Sequence, residues 1–230
     1  MSPRKYEGPL THTMILKGFQ NCIRNAQELC EEAELLLNNK RYARAYALTL
    51  ISFEEIGKLL VLLGGAYHEP RDEVLWRKFW KRFRSHTLKR TRVSLMEMLS
   101  LSSTTAERTF LEMKTEPEAE RLKQSALYVD YIDDNITCPS ELWGEPSRSL
   151  VEESLKLARN RLKLFSEQFG DSREMEEYVT QRIPSMKRRG LADSAGMNER
   201  GREWLDNQLR RTREEVRTQG TSSEPNSKNL

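Results

Sequence analysis

Ala45-Tyr46-Ala47-Leu48-Thr49-Leu50-Ile51-Ser52-Phe53 belongs to the most apolar helical pattern of the chain, and it runs directly into Glu54-Glu55-Ile56-Gly57-Lys58. The pattern predicts a helix over residues 41–67 that is apolar nearly all round, as a helix at the centre of a bundle is. Gly64-Gly65 marks its end and Pro70 the start of the next element. Glu54 and Lys58 stand four apart, in the order that favours a helical ion pair. Charge in a central helix is costly unless it is paired. The pair is therefore read in two ways: as structural, where the helix reaches the bundle surface, or as held for function. Gly57 costs about 1 kcal/mol of helix propensity relative to Ala, which fits close approach of another helix.

Helices surround this one on both sides. Over residues 14–37, Ile15, Phe19, Cys22, Ile23, Ala26, Leu29, Cys30, Ala33, Leu36 and Leu37 fall at three-and-four spacing, the mark of an amphipathic helix. A third helix is predicted over residues 73–99 through Leu75, Trp76, Phe79, Trp80, Phe83, Leu88, Val93 and Leu95. A short one follows near residues 107–113, and another opens at Pro117 and runs to about Tyr131. Residues 133–146 read as a loop with one extended stretch, punctuated by Pro139 and Pro146. Residues 147–169 return to helix, and weaker helical patterns lie near 174–182 and 199–217. The fold class is all-α. The expected domains are a helical bundle over 1–170, a peripheral helical extension over 171–217 and a disordered tail over 218–230, which has no apolar residue before Leu230.

Composition narrows the function classes. The chain is 37% hydrophobic and 32% charged, a lean core under a charge-dense surface. No apolar run approaches the length of a membrane span, and the N-terminus lacks the apolar core of a signal peptide. Cys22, Cys30 and Cys138 are odd in number and far apart, which suits a reducing cytoplasm. His12, His68 and His86 have no metal-ligand spacing with them. No metal and no cofactor is expected.

Net charge is only +3, but its distribution is uneven. Between residues 71 and 92 stand Arg71, Arg77, Lys78, Lys81, Arg82, Arg84, Lys89, Arg90 and Arg92, against only Asp72 and Glu73. Such a stripe is either a solvated helix face or an electrostatic footprint for nucleic acid. Arg77, Lys78, Arg84 and Arg90 are the candidate RNA contacts. Within the stripe, Arg82 and His86 stand four apart, on one face of the predicted helix, with Lys89 three further on. A neutral imidazole there could take the proton of a ribose 2′-hydroxyl while a neighbouring cation stabilises charge on the phosphate.

Ser52-Phe53-Glu54-Glu55-Ile56-Gly57-Lys58, then Phe83-Arg84-Ser85-His86-Thr87-Leu88-Lys89, then Ala126-Leu127-Tyr128-Val129-Asp130 with Cys138-Pro139, resemble in order and spacing the AbiV-type abortive infection proteins, which are grouped with the HEPN superfamily. The resemblance covers roughly residues 10–169. It implies a helical bundle, usually dimeric, acting against phage in the bacterial cytoplasm. Many HEPN proteins are metal-independent ribonucleases with an Arg, four to six residues, then a His. Here Arg82 stands one residue too close to His86, and Lys81 stands at the family distance with the other cation. The resemblance implies His86 as acid or base, Arg82, Lys81 and Lys89 as phosphate ligands, and Glu54 with Lys58 orienting the site. The expected partners are a second copy of the chain, bound through the first two helices or the Trp76–Phe83 aromatic stripe, and RNA. The alternative is a helical module without catalysis that recognises a phage protein or nucleic acid.

Overall fold

The structure is a computed structural model, which describes residues 5–85, 116–132, 135–169 and 172–200. Helix α1 spans His12–Asn38 and α2 spans Tyr42–Gly65. Thr11 caps α1, its hydroxyl accepting from the Met14 N–H at 3.2 Å, which satisfies one of the unpaired first-turn donors. The two helices are joined by a tight connection in which Lys40 adopts φ 58°, so the chain folds back antiparallel. Small side chains let them approach: Ala26, Cys30 and Ala33 on α1 meet Ala45, Thr49 and Ser52 on α2, all buried. The Ser52 hydroxyl donates to the Ala26 carbonyl at 3.0 Å and lies 3.2 Å from the Cys30 sulfur. Burial pushes the Cys30 thiol up, against the opposing pull of the Ser52 hydrogen bond.

Helix α3 spans Glu73–Arg84 and α4 spans Glu116–Leu127. A hairpin pairs β1, Asp130–Ile132, antiparallel with β2, Asn135–Thr137. The short α5, Pro139–Leu142, and a 3₁₀ turn, Glu145–Ser147, lead into α6, Arg148–Phe169. The chain then forms α7, Ser172–Glu177, a π-turn, Tyr178–Arg182, and α8, Ile183–Arg188. Two-residue strands β3, Ala192–Asp193, and β4, Gly196–Met197, pair antiparallel after it.

Helix α2 is the axis of this bundle, packed by α1, α3, α4 and α6. Ala45, Ala47, Ile56, Leu59, Val61 and Leu62 are all buried, as the near-continuous apolar pattern requires. The extension lies at the edge of the bundle and still shares its core. Met175, Val179 and Ile183 are buried in it, and the Tyr67 and Tyr178 hydroxyls meet at 2.8 Å. No helix among the described residues is long and apolar enough to cross a membrane.

The sequence expectations differ from this fold in three places. The third helix ends at Arg84, not near residue 99. Ser85 is extended, φ −78° and ψ 125°, and its N–H bonds the Arg82 and Lys81 carbonyls. The helix expected to run to Tyr131 stops at Leu127, and the loop after it contains a hairpin. The expected helices near 107–113 and 199–217, and the expected tail, lie outside the described residues apart from Glu199 and Arg200.

Candidate functional site

Glu54 and Lys58 do not pair with each other. Helix geometry places Glu54 and Glu55 about 100° apart around α2, and the two carboxylates serve different neighbours. Lys58 bonds Glu55 at 2.5 Å and sits over the Phe83 ring of α3, 5.4 Å from its centroid. Glu54 faces the interior and receives Lys123 of α4 at 2.8 Å, the two side chains being 5% and 7% exposed. Lys123 also bonds Glu120 at 2.9 Å. Arg161 of α6, buried as well, lies over the Phe53 ring at 4.7 Å. Three helices, α2, α4 and α6, thus bring charge to the region around residues 53–58, and Glu54 with Lys123 is its buried part. The Glu54–Lys123 pair is of the kind that is weakly stabilising intact and costly to break.

Helix α3 is divided lengthwise. At about 100° per residue, Trp76, Phe79, Trp80 and Phe83 share one arc. They form a stack of edge-on and parallel rings, with Trp76–Phe79 at 5.3 Å, Phe79–Trp80 at 4.9 Å and Phe79–Phe83 at 5.7 Å. Phe79 is 1% exposed and packs against Gly65, where any Cβ would stand 2.7 Å from the ring. The Trp80 indole N–H donates to the Gly8 carbonyl at 3.0 Å and that of Trp76 to the Glu69 carbonyl at 2.9 Å. The aromatic stripe expected at a dimer interface is therefore largely covered by its own chain.

The other arc carries Arg77, Lys78, Lys81 and Arg82, all exposed and without an ion-pair partner among the described residues. Arg84 departs from them. Its guanidinium bonds Glu7 at 2.5 Å and the Tyr6 carbonyl at 2.8 Å, and lies over Trp80 at 5.1 Å. These contacts tie the N-terminal segment to α3. His86, Lys89 and Arg90 lie outside the described residues. The helical register that would set Arg82 and His86 on one face stops at Arg84.

Two residues that sequence reasoning passed over stand out. Lys123 falls between Leu122 and Ala126, on the apolar stripe of α4, and a cation on an apolar stripe is a readable sign of a buried acidic partner. His68, between α2 and α3, bonds the Ser194 carbonyl through Nδ1 at 2.7 Å and stands edge-on to Trp76 at 5.3 Å. Burial holds the His68 imidazole below its usual pKa, against the Ser194 bond that raises it. A smaller pocket, about 220 Å³, is lined by Lys40, Arg41, Arg44 and the exposed Cys138. The Ser140 hydroxyl and backbone N–H hold the Cys138 thiol below its usual range. Among the described residues no three His, Cys, Asp or Glu side chains gather to hold a metal ion.

Comparison with known families decides the kinship. The AbiV model of the HEPN group matches residues 14–163, more than half of the chain. The chain belongs to the AbiV family. The match takes in α1 to α4, the hairpin and most of α6, and membership points to abortive infection, a defence against phage. No curated protein and no solved structure matches the chain.

Proposed function

We propose that this AbiV protein is an abortive-infection effector that arrests growth of the infected bacterial cell by acting on RNA, as a metal-independent endoribonuclease of the HEPN type. It works as a homodimer in the cytoplasm. The observation that supports an RNA target is the divided α3: one arc is fixed by aromatic packing, and the other offers Arg77, Lys78, Lys81 and Arg82 to solvent. A row of exposed cations on one face of a packed helix suits a phosphate backbone, because binding there releases counterions. In this reading neutral His86 takes the 2′-hydroxyl proton, the resulting oxyanion attacks the adjacent phosphorus, and the 5′-oxygen leaves with a proton. Lys81, Arg82 and Lys89 hold the phosphate. Lys lacks the planar fork of Arg, so Lys81→Arg should raise the rate.

The test is a joint assay of phage protection and RNA cleavage by purified protein in the presence of a chelator. His86→Ala should abolish both and leave melting unchanged. Wild-type protein that cleaves no RNA, with protection surviving His86→Ala, would overturn the enzymatic reading. The second reading, a binding module without catalysis, is favoured by one observation: Glu54 is closed into the interior with Lys123, where no substrate reaches it. That reading expects protection to survive His86→Ala and to fail when Lys78, Lys81 and Arg82 are reversed together.

A further inference from the structure

Tyr67, His68 and Glu69 are successive residues between α2 and α3, and each takes a partner from the C-terminal extension. The Tyr67 hydroxyl meets that of Tyr178, in the π-turn, at 2.8 Å. The His68 ring donates through Nδ1 to the Ser194 carbonyl, between β3 and β4, at 2.7 Å, since a carbonyl oxygen can only accept. The Glu69 carboxylate bonds the Lys187 ammonium of α8. The partners lie 111, 126 and 118 residues further along the chain. All three follow residue 163, where the family match ends. The extension thus holds one turn of the family frame at three points.

The same turn holds the start of α3. The Glu69 carbonyl accepts from the Trp76 indole at 2.9 Å, and the His68 ring stands edge-on to Trp76 at 5.3 Å and to Phe79 at 6.4 Å. Trp76 is buried, so it cannot swing out to solvent when the turn moves. Among the described helices α2 is the main neighbour of α3, with Phe79 seated on Gly65 near the middle of the helix. A helix resting on one neighbour at one close contact tilts about it unless its ends are tied. Gly8 and Glu7 tie the last turns through Trp80 and Arg84, and residues 67–69 tie the first. A cleft of about 420 Å³ borders the joint between turn and extension, with Gly65, Glu69, Ile183 and Lys187 in its lining. Apolar packing does not close the joint on that side, so the polar contacts carry the hold there.

We propose that the C-terminal extension is a positioning element for α3: Tyr178, Lys187 and the Ser194 carbonyl hold residues 67–69, and these, through Trp76, set the tilt at which α3 presents Arg77, Lys78, Lys81 and Arg82. The extension touches no ligand in this role and acts only through the turn. What meets the cations rests on the proposed function; the hold on α3 is independent of it.

The experiment compares full-length wild-type protein with Tyr178→Phe, with Lys187→Glu, and with the exchanged pair Lys187→Glu and Glu69→Lys. It reads the indole N–H signal of Trp76 by NMR, hydrogen exchange of the α3 amides against those of α1, and affinity for a short single-stranded oligoribonucleotide. Each single variant should shift the Trp76 signal and speed exchange in α3 about tenfold while α1 keeps its protection. RNA binding should weaken roughly two- to tenfold, although every cation of the arc is intact. The exchanged pair should recover the wild-type signal and affinity, which a general loss of stability would not do. Lys187 and Glu69 are both partly exposed, so Lys187→Glu decides the matter if Tyr178→Phe fails to fold. Folded variants with the wild-type Trp76 signal and α3 exchange would overturn the proposal. So would faster exchange spread equally over α1 and α3, the mark of an extension that only adds stability. Wild-type protein that binds no RNA would strike the proposed function alone, because the Trp76 and exchange readings still decide the role of the extension.

Discussion

In α2 two carboxylates and an ammonium lie within five residues, and each has a protein partner: Glu54 with Lys123, Glu55 with Lys58. In α3 four cations lie within six residues, and Arg77, Lys78, Lys81 and Arg82 all face solvent. The residue types are similar, and burial decides what becomes of them. At Glu54 water is excluded, so an unpaired charge would cost several kcal/mol and the fold supplies a counter-charge from another helix. On the outer arc of α3 water solvates the cations at no such cost, and they stay available to a polyanion. Charge inside this bundle is spent on structure, and charge outside it is left for a partner.

The sharpest attack on that contrast is Lys123→Met. It leaves Glu54 in the interior without the ammonium that faces it, and the expected loss is about 3–5 kcal/mol of unfolding free energy, read by urea denaturation. Pairing it with Glu54→Gln should recover part of that loss. A single-variant loss below about 1 kcal/mol would mean that the pair behaves as a surface feature. Next in size is Gly65→Ala. Its Cβ would meet the Phe79 ring at 2.7 and 2.9 Å, and that ring is buried too fully to move aside. Overpacking of this kind costs about 1–3 kcal/mol, partly offset by the better helix propensity of Ala. Lys58→Ala should cost about 1 kcal/mol or less, because Lys58 is 20% exposed and its partner Glu55 lies at the same edge.

The bundle was legible because three-and-four spacing survives in each long helix, and the unbroken apolar run of residues 45–53 marks the central one. The end of α3 was harder to see. Apolar residues continue to Leu95, so the pattern favours helix past residue 84. The counter-signal was the cation cluster Lys81, Arg82 and Arg84 in the last turn, where the helix dipole favours positive charge. The hairpin escaped because three-residue strands are too short to establish a period of two. At the candidate site, Lys123 announced itself on an apolar stripe, but the identity of its partner, 69 residues away, did not. The bond between His68 and Ser194 spans 126 residues and left no local mark at either end.

His68 supplies a pH test of burial against exposure. Its pKa is depressed in the folded chain, chiefly by burial, while the unfolded chain keeps a value near 6.5. Above about pH 6.5 the ring is neutral in both states and stability is at its full value. As pH falls below that point the unfolded chain takes up a proton that the folded chain resists, so stability declines until the folded pKa is passed. Asp72, Arg82 and Lys187 are the charged groups that act on the ring. His68→Asn should flatten this part of the profile in urea titrations from pH 7.5 to 5. A decline of equal depth in the variant would assign it to other groups.

The smallest expected effect on stability comes from reversing the outer arc of α3. Lys78→Glu, Lys81→Glu and Arg82→Glu remove no bond to any described residue and touch none of the aromatic packing, so each should change unfolding free energy by about 0.5 kcal/mol or less. Lys81 and Arg82 lie in the last helical turn, so the change there should be unfavourable, since an acid opposes the helix dipole. Binding should respond in the opposite proportion. If the arc meets phosphates, the triple variant should bind RNA more weakly, and the slope of log affinity against log salt should fall by roughly 0.7 for each single-strand phosphate that is no longer neutralised. Reversing Arg84 is the internal control: it bonds Glu7 and the Tyr6 carbonyl, so Arg84→Glu should loosen the N-terminal segment and leave the salt slope where it was. A triple variant that keeps the wild-type salt slope would show that these cations are solvated and nothing more, and the division of α3 would then be a matter of solubility.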